Sequence, residues 1–130
     1  MLKHKALLID ITKCIGCNEC SRACATANNL PEEEAKELSA THYTVVQSYN
    51  GDQTYVRRMC MHCEQPTCVS ACLVGAFTKM ETGAVLYDES KCIGCRYCMQ
   101  ACPFEVPRYE WSSLTPRVQK CRMCYERVAS

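Results

Sequence analysis

The sequence offers few residues for a large hydrophobic core. Its 130 residues include two phenylalanines, one tryptophan, five glycines and five prolines. No apolar run approaches the roughly 20 residues that a membrane-spanning helix needs. The apolar run at residues 6–9 is also too short for the core of a secretory signal. The sequence therefore predicts neither a transmembrane segment of its own nor export by its own signal.

Patterns that would indicate catalysis are missing as well. The chain has no glycine-rich phosphate loop, no nucleophile signature and no paired acid–base residues. Its formal net charge of +1 gives no basis for nucleic-acid binding. We therefore predict no catalytic residues, no enzymatic activity of the chain itself and no nucleic-acid partner.

Cysteine, in contrast, is abundant. The fourteen cysteines fall into four blocks, namely Cys14, Cys17, Cys20 and Cys24; Cys60, Cys63, Cys68 and Cys72; Cys92, Cys95, Cys98 and Cys102; and Cys121 and Cys124. The third block has the spacing C-x2-C-x2-C-x3-C and is followed by Pro103. In bacterial proteins this run holds cubane iron–sulfur clusters, with three thiolates on one cluster and the fourth on a neighbour. The sequence thus predicts several [4Fe–4S] clusters around which a small chain folds.

Two other uses of the cysteines are less compatible with their spacing. A disulfide framework is not typical of thiols that recur two residues apart in triplets. A zinc-holding interaction module would take separated C-x2-C pairs and gain nothing from a third nearby cysteine. His62 lies between two expected ligands, but Cys60, Cys63 and Cys68 already complete that triplet, so an imidazole ligand is not predicted.

The distances between blocks indicate how they pair. Blocks two and three are separated by 19 residues that include a predicted hairpin. Pairing them gives one cluster held by Cys60, Cys63, Cys68 and Cys102, and a second held by Cys92, Cys95, Cys98 and Cys72. The 18 residues between blocks three and four leave that pairing open, although three prolines there disfavour a compact hairpin.

Blocks one and four then remain as the second pair. Their sets are Cys14, Cys17 and Cys20 for one cluster, and Cys24, Cys121 and Cys124 for the other. Each set is one ligand short of four. Such sites are expected to hold a [3Fe–4S] cluster, a cubane with one non-cysteine ligand, or nothing, so the complete pair should form more reliably.

The remaining patterns predict an α+β chain of short elements. We expect a buried strand at residues 7–11, a helix from block one to about Asn28, and a short helix at residues 31–38. Hairpins are expected over residues 43–57 and 76–88, and a helix should carry Cys68 and Cys72. An extended segment should follow Pro103, with Trp111 either in the core or at a partner interface.

These blocks, with the runs at residues 57–63, 91–104 and 107–111, resemble the iron–sulfur β-type subunits of molybdopterin oxidoreductases, such as dimethyl sulfoxide reductase and formate dehydrogenase. The resemblance covers almost the whole chain. It implies a dicluster ferredoxin-like fold of two interleaved modules and pairs block one with four and block two with three. Module A would comprise residues 5–30 with 112–130 and be incomplete. Module B would span residues 56–111, with a helix and hairpin inserted at 31–55.

The family continues beyond the fourth block with two further cysteines, so this chain is expected to be shortened or to have an altered outer cluster pair. The resemblance implies an electron-transfer subunit that relays electrons between a catalytic oxidoreductase subunit and a membrane quinone-linked subunit or another carrier. A freestanding polyferredoxin or a maturation factor is the alternative. The chain would be cytoplasmic, membrane-associated through partners, or periplasmic by co-export.

Basic residues beside the ligands are candidates for tuning cluster potentials. Arg57, Arg58, Arg96 and Arg122 are predicted to favour the reduced, more negative state of a neighbouring cluster. Lys91 and Lys120 occupy similar positions, each next to a cysteine.

Overall fold

A computed structural model describes residues 4–115 and 117–129. The predicted end of module A at residue 130, and Pro116 within that module, lie outside the described residues. The elements, in chain order, are α1 (Glu19–Asn28), β1 (Val45–Tyr49), β2 (Thr54–Arg58), α2 (Thr67–Ala71), β3 (Phe77–Lys79), β4 (Val85–Tyr87), α3 (Tyr97–Ala101), β5 (Arg108–Tyr109), β6 (Val118–Gln119) and α4 (Tyr125–Val128). The prediction of an α+β chain of short elements is confirmed, whereas the interleaving of two modules stays a prediction.

Helix α1 ends where the sequence predicts. Asn29 adopts a left-handed conformation with φ of 54°, and its backbone N–H donates to the carbonyls of Ala25 and Thr26. Asparagine tolerates this conformation because its short polar side chain lowers the steric cost. The helix therefore carries Cys20 and Cys24 one turn apart.

Helices α2 and α3 are near copies of each other. Each has five residues and ends at a cysteine in extended conformation, with φ and ψ of −74° and 114° at Cys72 and −75° and 116° at Cys102. The sequence predicts that Pro103 stops α3. However, α2 ends in the same way before Leu73, so a following proline is not required for this ending.

The two predicted hairpins are confirmed. Strands β1 and β2 pair antiparallel from Val45 opposite Arg58 to Tyr49 opposite Thr54. Strands β3 and β4 likewise pair Phe77 with Tyr87. Asn50 and Gly51 both have positive φ in the first turn, as the Asn-Gly pair predicts.

The segment after Pro103 differs from the prediction of a purely extended crossing. Strands β5 and β6 pair antiparallel, with Arg108 opposite Gln119 and Tyr109 opposite Val118. Pro103 and Pro107 both precede the paired residues, so neither interrupts the ladder. Pro103 and Pro107 are therefore compatible with this short hairpin.

The predicted strand at residues 7–11 is wrong. These residues form no strand, and Leu8 is 97% exposed. Asp10 instead accepts hydrogen bonds from the backbone N–H and the hydroxyl of Thr12, which also hold the pKa of its carboxyl below the usual value. This local turn competes with strand pairing.

The predicted helix at residues 31–38 is also wrong. Its backbone carbonyls bond to side chains from elsewhere: Gln47 Nε2 donates to the Lys36 carbonyl, and His42 Nε2 to that of Glu33. Only Leu38 of this segment is buried. Tertiary contacts therefore replace the helical hydrogen bonds that proline and the acidic residues favoured.

Two small apolar clusters form the core, and cysteines pack against both. The larger contains Ala76, Phe77, Val85, Tyr87, Cys98 and Val118, and the smaller contains Leu38, Val45 and Val106. All fourteen cysteines are free of disulfide bonds. Within residues 4–115 and 117–129, no helix is long and apolar enough to cross a membrane.

Gly16 illustrates how tightly one cysteine loop packs. Its φ is +72°, and a Cβ added there would lie 2.6 Å from the ring of Tyr55. Gly51 has a similar φ of +65° but open space around it. We expect Gly51→Ala to lower the free energy of unfolding by about 1 kcal/mol, the cost of left-handed backbone alone. Gly16→Ala should cost several times more and lower the iron content of the block-one site.

Denaturant unfolding of the two purified variants, with iron analysis, checks this expectation. Equal stability of the two variants would mean that the Tyr55 ring moves aside without cost, and that the close packing against Gly16 does not limit stability.

Candidate metal centres

The four C-x2-C loops share one backbone feature. The residue just before the second cysteine has positive φ in every loop: 72° at Gly16, 46° at His62, 75° at Gly94 and 57° at Met123. Glycine adopts this conformation readily, and a side chain makes it costly. The same turn is thus formed in all four blocks, including the two without glycine.

Backbone N–H groups donate to several of the sulfurs. His62 N lies 3.4 Å from Cys60 Sγ, Met123 N lies 3.3 Å from Cys121 Sγ, and Ala76 N lies 3.3 Å from Cys72 Sγ. Donors of this kind stabilise the negatively charged form of a sulfur and are one way in which proteins raise cluster potentials. The loops therefore present sulfurs that are already hydrogen-bonded.

The first cavity with several cysteines joins the second and third blocks. Cys60, Cys63, Cys68 and Cys102 all line it, together with apolar side chains that include Val106 and Phe104. Cys102 reaches this cavity from the end of α3, whereas the other three come from the loop before α2 and from α2 itself. These four cysteines are the first predicted ligand set, and the assignment of ligands stays a prediction.

A second group of cysteines surrounds the end of α3. Cys98 is buried in the larger core cluster, against which Cys72 and Cys92 pack. Burial, and then the nearby Cys92, raise the pKa of the Cys98 thiol to about 12. Cys95 is close enough to contribute to the same shift and is exposed. The structure thus places the second predicted set around α3 and the end of α2.

A second cavity lies between block one and block four. Cys24, Cys121 and Cys124 line it, as predicted for one outer cluster, and Cys20 lines it as well. Burial raises the pKa of Cys24 to about 11, and the charges of Cys121 and Cys124 add to the rise. Cys14 and Cys17, which are predicted to share a cluster with Cys20, are not among the lining residues.

The predicted tuning arginines fall into two groups. Arg57 and Arg122 line the cavity of Cys24, and the charge of half-buried Arg57 opposes the rise in the pKa of that thiol. Arg58 instead donates to the Phe104 carbonyl at 2.9 Å. Arg96 is exposed, with its guanidinium 4.9 Å from the centre of the Tyr109 ring. Only the first group is therefore placed beside a cysteine cavity.

Arg96 also lies 5.5 Å from the ring of Trp111. Trp111 is 72% exposed and packs edge-on against Tyr109 at 4.6 Å. The interpretation of Trp111 as a core residue is therefore wrong. Trp111 is a surface residue that packs against Tyr109 and Arg96, and its place at a partner interface stays a prediction.

Two lysines and an asparagine form hydrogen bonds with the cysteines or with the loop that carries them. Lys120 is 2% exposed and its Nζ lies 3.6 Å from Cys60 Sγ. Lys79 Nζ donates to the carbonyls of His62, Cys63 and Gly83 and so holds the second loop. Asn28 Nδ2 donates to Cys24 Sγ at 3.6 Å. Asn28 lies four residues after Cys24 in α1. This spacing places the two side chains on one face of the helix and could have predicted the contact from the sequence.

His62 is held in a way that argues against a ligand role. Its Nδ1 accepts a hydrogen bond from Val85 N at 2.9 Å, so in the neutral ring Nε2 carries the hydrogen. Burial and the charges of Lys120 and Lys79 lower the pKa of His62 to about 3, which keeps the ring neutral. Neither ring nitrogen then offers a lone pair to a metal.

The cysteine groups are wider than a single-ion site. In the part of the chain that the structure describes, no three Cys, His or acidic side chains converge to hold one metal ion. The ligands of a cubane are spread over four separate irons, one thiolate to each, so wider groups are compatible with such a cluster.

More than half of the chain matches a known protein family. Residues 51–130, more than half of the chain, match the family described as the 4Fe-4S dicluster domain. The chain belongs to this family. The cofactors of the dicluster domain are several [4Fe–4S] clusters, as the cysteine blocks predict.

Sequence similarity to other proteins extends over nearly the whole chain. It is 37% identical to the iron–sulfur subunit of the nitrate-inducible formate dehydrogenase of Escherichia coli K12, covering 95% of this chain and 47% of the relative. It is 36% identical to the hydrogenase-2 operon protein HybA of E. coli O157:H7, over 93% and 43%. A tetrathionate reductase subunit of Archaeoglobus fulgidus is 39% identical, over 93% and 55%. The chain thus spans about half the length of these relatives.

The buried thiols of the chain fit this cofactor. With pKa values of about 11 and 12, Cys24 and Cys98 would stay protonated at neutral pH in the absence of a metal. Coordination to iron supplies the positive charge that removes the proton and compensates the buried thiolate. The buried ammonium of Lys120 beside Cys60 Sγ likewise suits an anionic group at that position.

Proposed function

We propose that this chain is the electron-transfer part of an oxidoreductase complex. It would relay single electrons between a catalytic subunit, of molybdopterin or hydrogenase type, and a membrane quinone-linked subunit or another carrier. When bound, the [4Fe–4S] clusters accept and donate one electron at a time. The chain's own residues hold the clusters at fixed separations and exclude water from them.

One observation carries the proposal: cysteines from distant blocks meet in neighbouring cavities. Cys102 lies with Cys60, and Cys24 lies with Cys121 and Cys124. Burial raises the pKa of the Cys121 thiol, and Cys60 is near enough for its charge to add to that rise. This supports a continuous series of sites through the domain, in the interlocked arrangement of modules A and B.

The complete four-cysteine sets support a carrier that has no catalytic activity of its own. A cluster bound through four thiolates keeps no open position for a substrate. The complete sets are those of Cys60, Cys63, Cys68 and Cys102 and of Cys92, Cys95, Cys98 and Cys72. Catalysis would then belong to a partner subunit.

The exposed apolar residues favour a subunit over a freestanding ferredoxin or a maturation factor. Trp111, ordered by Tyr109 and Arg96, is the kind of aromatic that protein interfaces bury. Leu8 and Leu114 are almost fully exposed. A partner that covers these residues would also determine the compartment, whether cytoplasmic, at a membrane or periplasmic by co-export.

Anaerobic purification with iron and sulfide analysis tests the proposal. We expect about eight irons per chain to be retained firmly by the two complete sets, and a smaller, variable amount elsewhere. The protein should be brown, and larger oxidoreductase subunits should co-purify with it. A colourless protein that contains zinc would contradict the proposal. Sixteen irons in four equivalent clusters would contradict the expected difference between the cluster pairs.

A further inference from the structure

Lys120 is a buried lysine at the junction between two cysteine sites. Its Nζ lies 2.5 Å from the Val85 carbonyl oxygen, 2.8 Å from that of Cys121 and 3.6 Å from Cys60 Sγ. Cys60 lines the first cavity and Cys121 lines the cavity of blocks one and four. The ammonium group is therefore fixed between ligands of two different predicted clusters.

Among the described residues, no carboxylate forms an ion pair with this ammonium. A buried charge without a counterion is unfavourable. The negative charge available to balance it is that of the thiolates and of the clusters they hold.

We propose that the buried Lys120 ammonium raises the reduction potentials of the Cys60 cluster and of the Cys24–Cys121–Cys124 cluster. This rests on the proposed function, because it requires both clusters to be present. Reduction adds one negative charge to a cluster, and a fixed cation in a site shielded from water stabilises that form. Lys120 thereby makes the two clusters at the junction easier to reduce than they would be without it.

The chain contains a matched comparison. Lys13, Lys91 and Lys120 each directly precede the first cysteine of a block. Lys13 is exposed, and Lys91 is 58% exposed with its Nζ 4.0 Å from Asp88 Oδ2. Water and the carboxylate screen the charge of Lys91. Among these three lysines, the structure encloses Lys120 and not the other two.

Redox titration of the full-length protein, loaded with clusters and followed by electron paramagnetic resonance, tests the proposal. Lys120→Met and Lys120→Gln should shift the potentials of both junction clusters downwards and leave the Cys92 cluster unchanged. Lys120→Arg should keep both potentials close to those of the wild type. The control Lys91→Met should give a smaller shift, confined to the Cys92 cluster. The variants Cys60→Ala, Cys95→Ala and Cys124→Ala assign the resonance signals to the Cys60, Cys92 and Cys24–Cys121–Cys124 clusters, respectively.

Unchanged potentials in a neutral variant that retains all its iron would overturn the proposal for Lys120. The proposed function would survive that result, whereas a wild-type protein without clusters would overturn the function itself. If both neutral variants lose iron, the potentials of the wild-type clusters provide the test. The wild-type Cys60 cluster must then titrate at a higher potential than the Cys92 cluster, and the reverse order overturns the proposal.

Discussion

Replacing Cys102 with alanine should disrupt the cluster of Cys60, Cys63 and Cys68 and spare the cluster of its own block. Cys102 lies at the end of α3, yet it lines the cavity of the second block. Without it, that site keeps three thiolates. We expect a loss of between about one and four irons per chain, since the site either retains a three-iron cluster or empties. Iron analysis and electron paramagnetic resonance of the variant measure this loss.

Double variants test whether Cys102 binds the cluster of block two or the cluster of its own block. If Cys102 and Cys60 hold the same cluster, Cys102→Ala with Cys60→Ala should lose no more than about four irons. Cys102→Ala with Cys95→Ala should lose up to about eight, because two clusters are affected. The opposite pattern of additivity would show that Cys102 serves the cluster of its own block, and the proposed interlock would be wrong.

The second large effect is expected at Phe77. It is 6% exposed, and its ring lies 5.6 Å from that of Tyr87 in the larger core cluster. Phe77→Ala should lower the free energy of unfolding by about 3–5 kcal/mol, because the truncation leaves a cavity. A small domain has only about 5–15 kcal/mol in total. The variant should therefore lose clusters quickly.

An exposed aromatic of the first hairpin provides the control. Tyr49 is 47% exposed and lies at the end of β1, so Tyr49→Ala should lower the free energy of unfolding by less than about 1 kcal/mol. Bleaching of the absorbance near 400 nm in denaturant, compared among the wild type and the two variants, measures the difference. Equal bleaching rates for the two variants would mean that the clusters, and not the Phe77 core, determine the stability of this region.

The sequence predicts local turns well where the conformation depends on neighbouring residues alone. Asn29 ends α1, and Asn50 and Gly51 close the first hairpin, because these residues adopt positive φ at low cost. The predictions for residues 7–11 and 31–38 fail for a different reason. In those segments, hydrogen bonds from Thr12, His42 and Gln47 satisfy polar groups that the local pattern assigned to a strand or a helix.

The sequence by itself determined the chemistry of this protein. The spacing of Cys92–Cys102 predicts thiolate ligands for iron–sulfur clusters, because it favours a tight turn followed by a short helix. Family membership of residues 51–130 agrees with that prediction.

Only the tertiary structure decided which groups meet. Lys91 and Lys120 have the same neighbour in sequence, yet one is exposed beside Asp88 and the other is enclosed between Val85 and Cys60. The strength of a charge depends on how much water surrounds it, and sequence spacing does not encode that environment. The same holds for Cys102, whose cavity is formed by a block about 40 residues earlier in the chain.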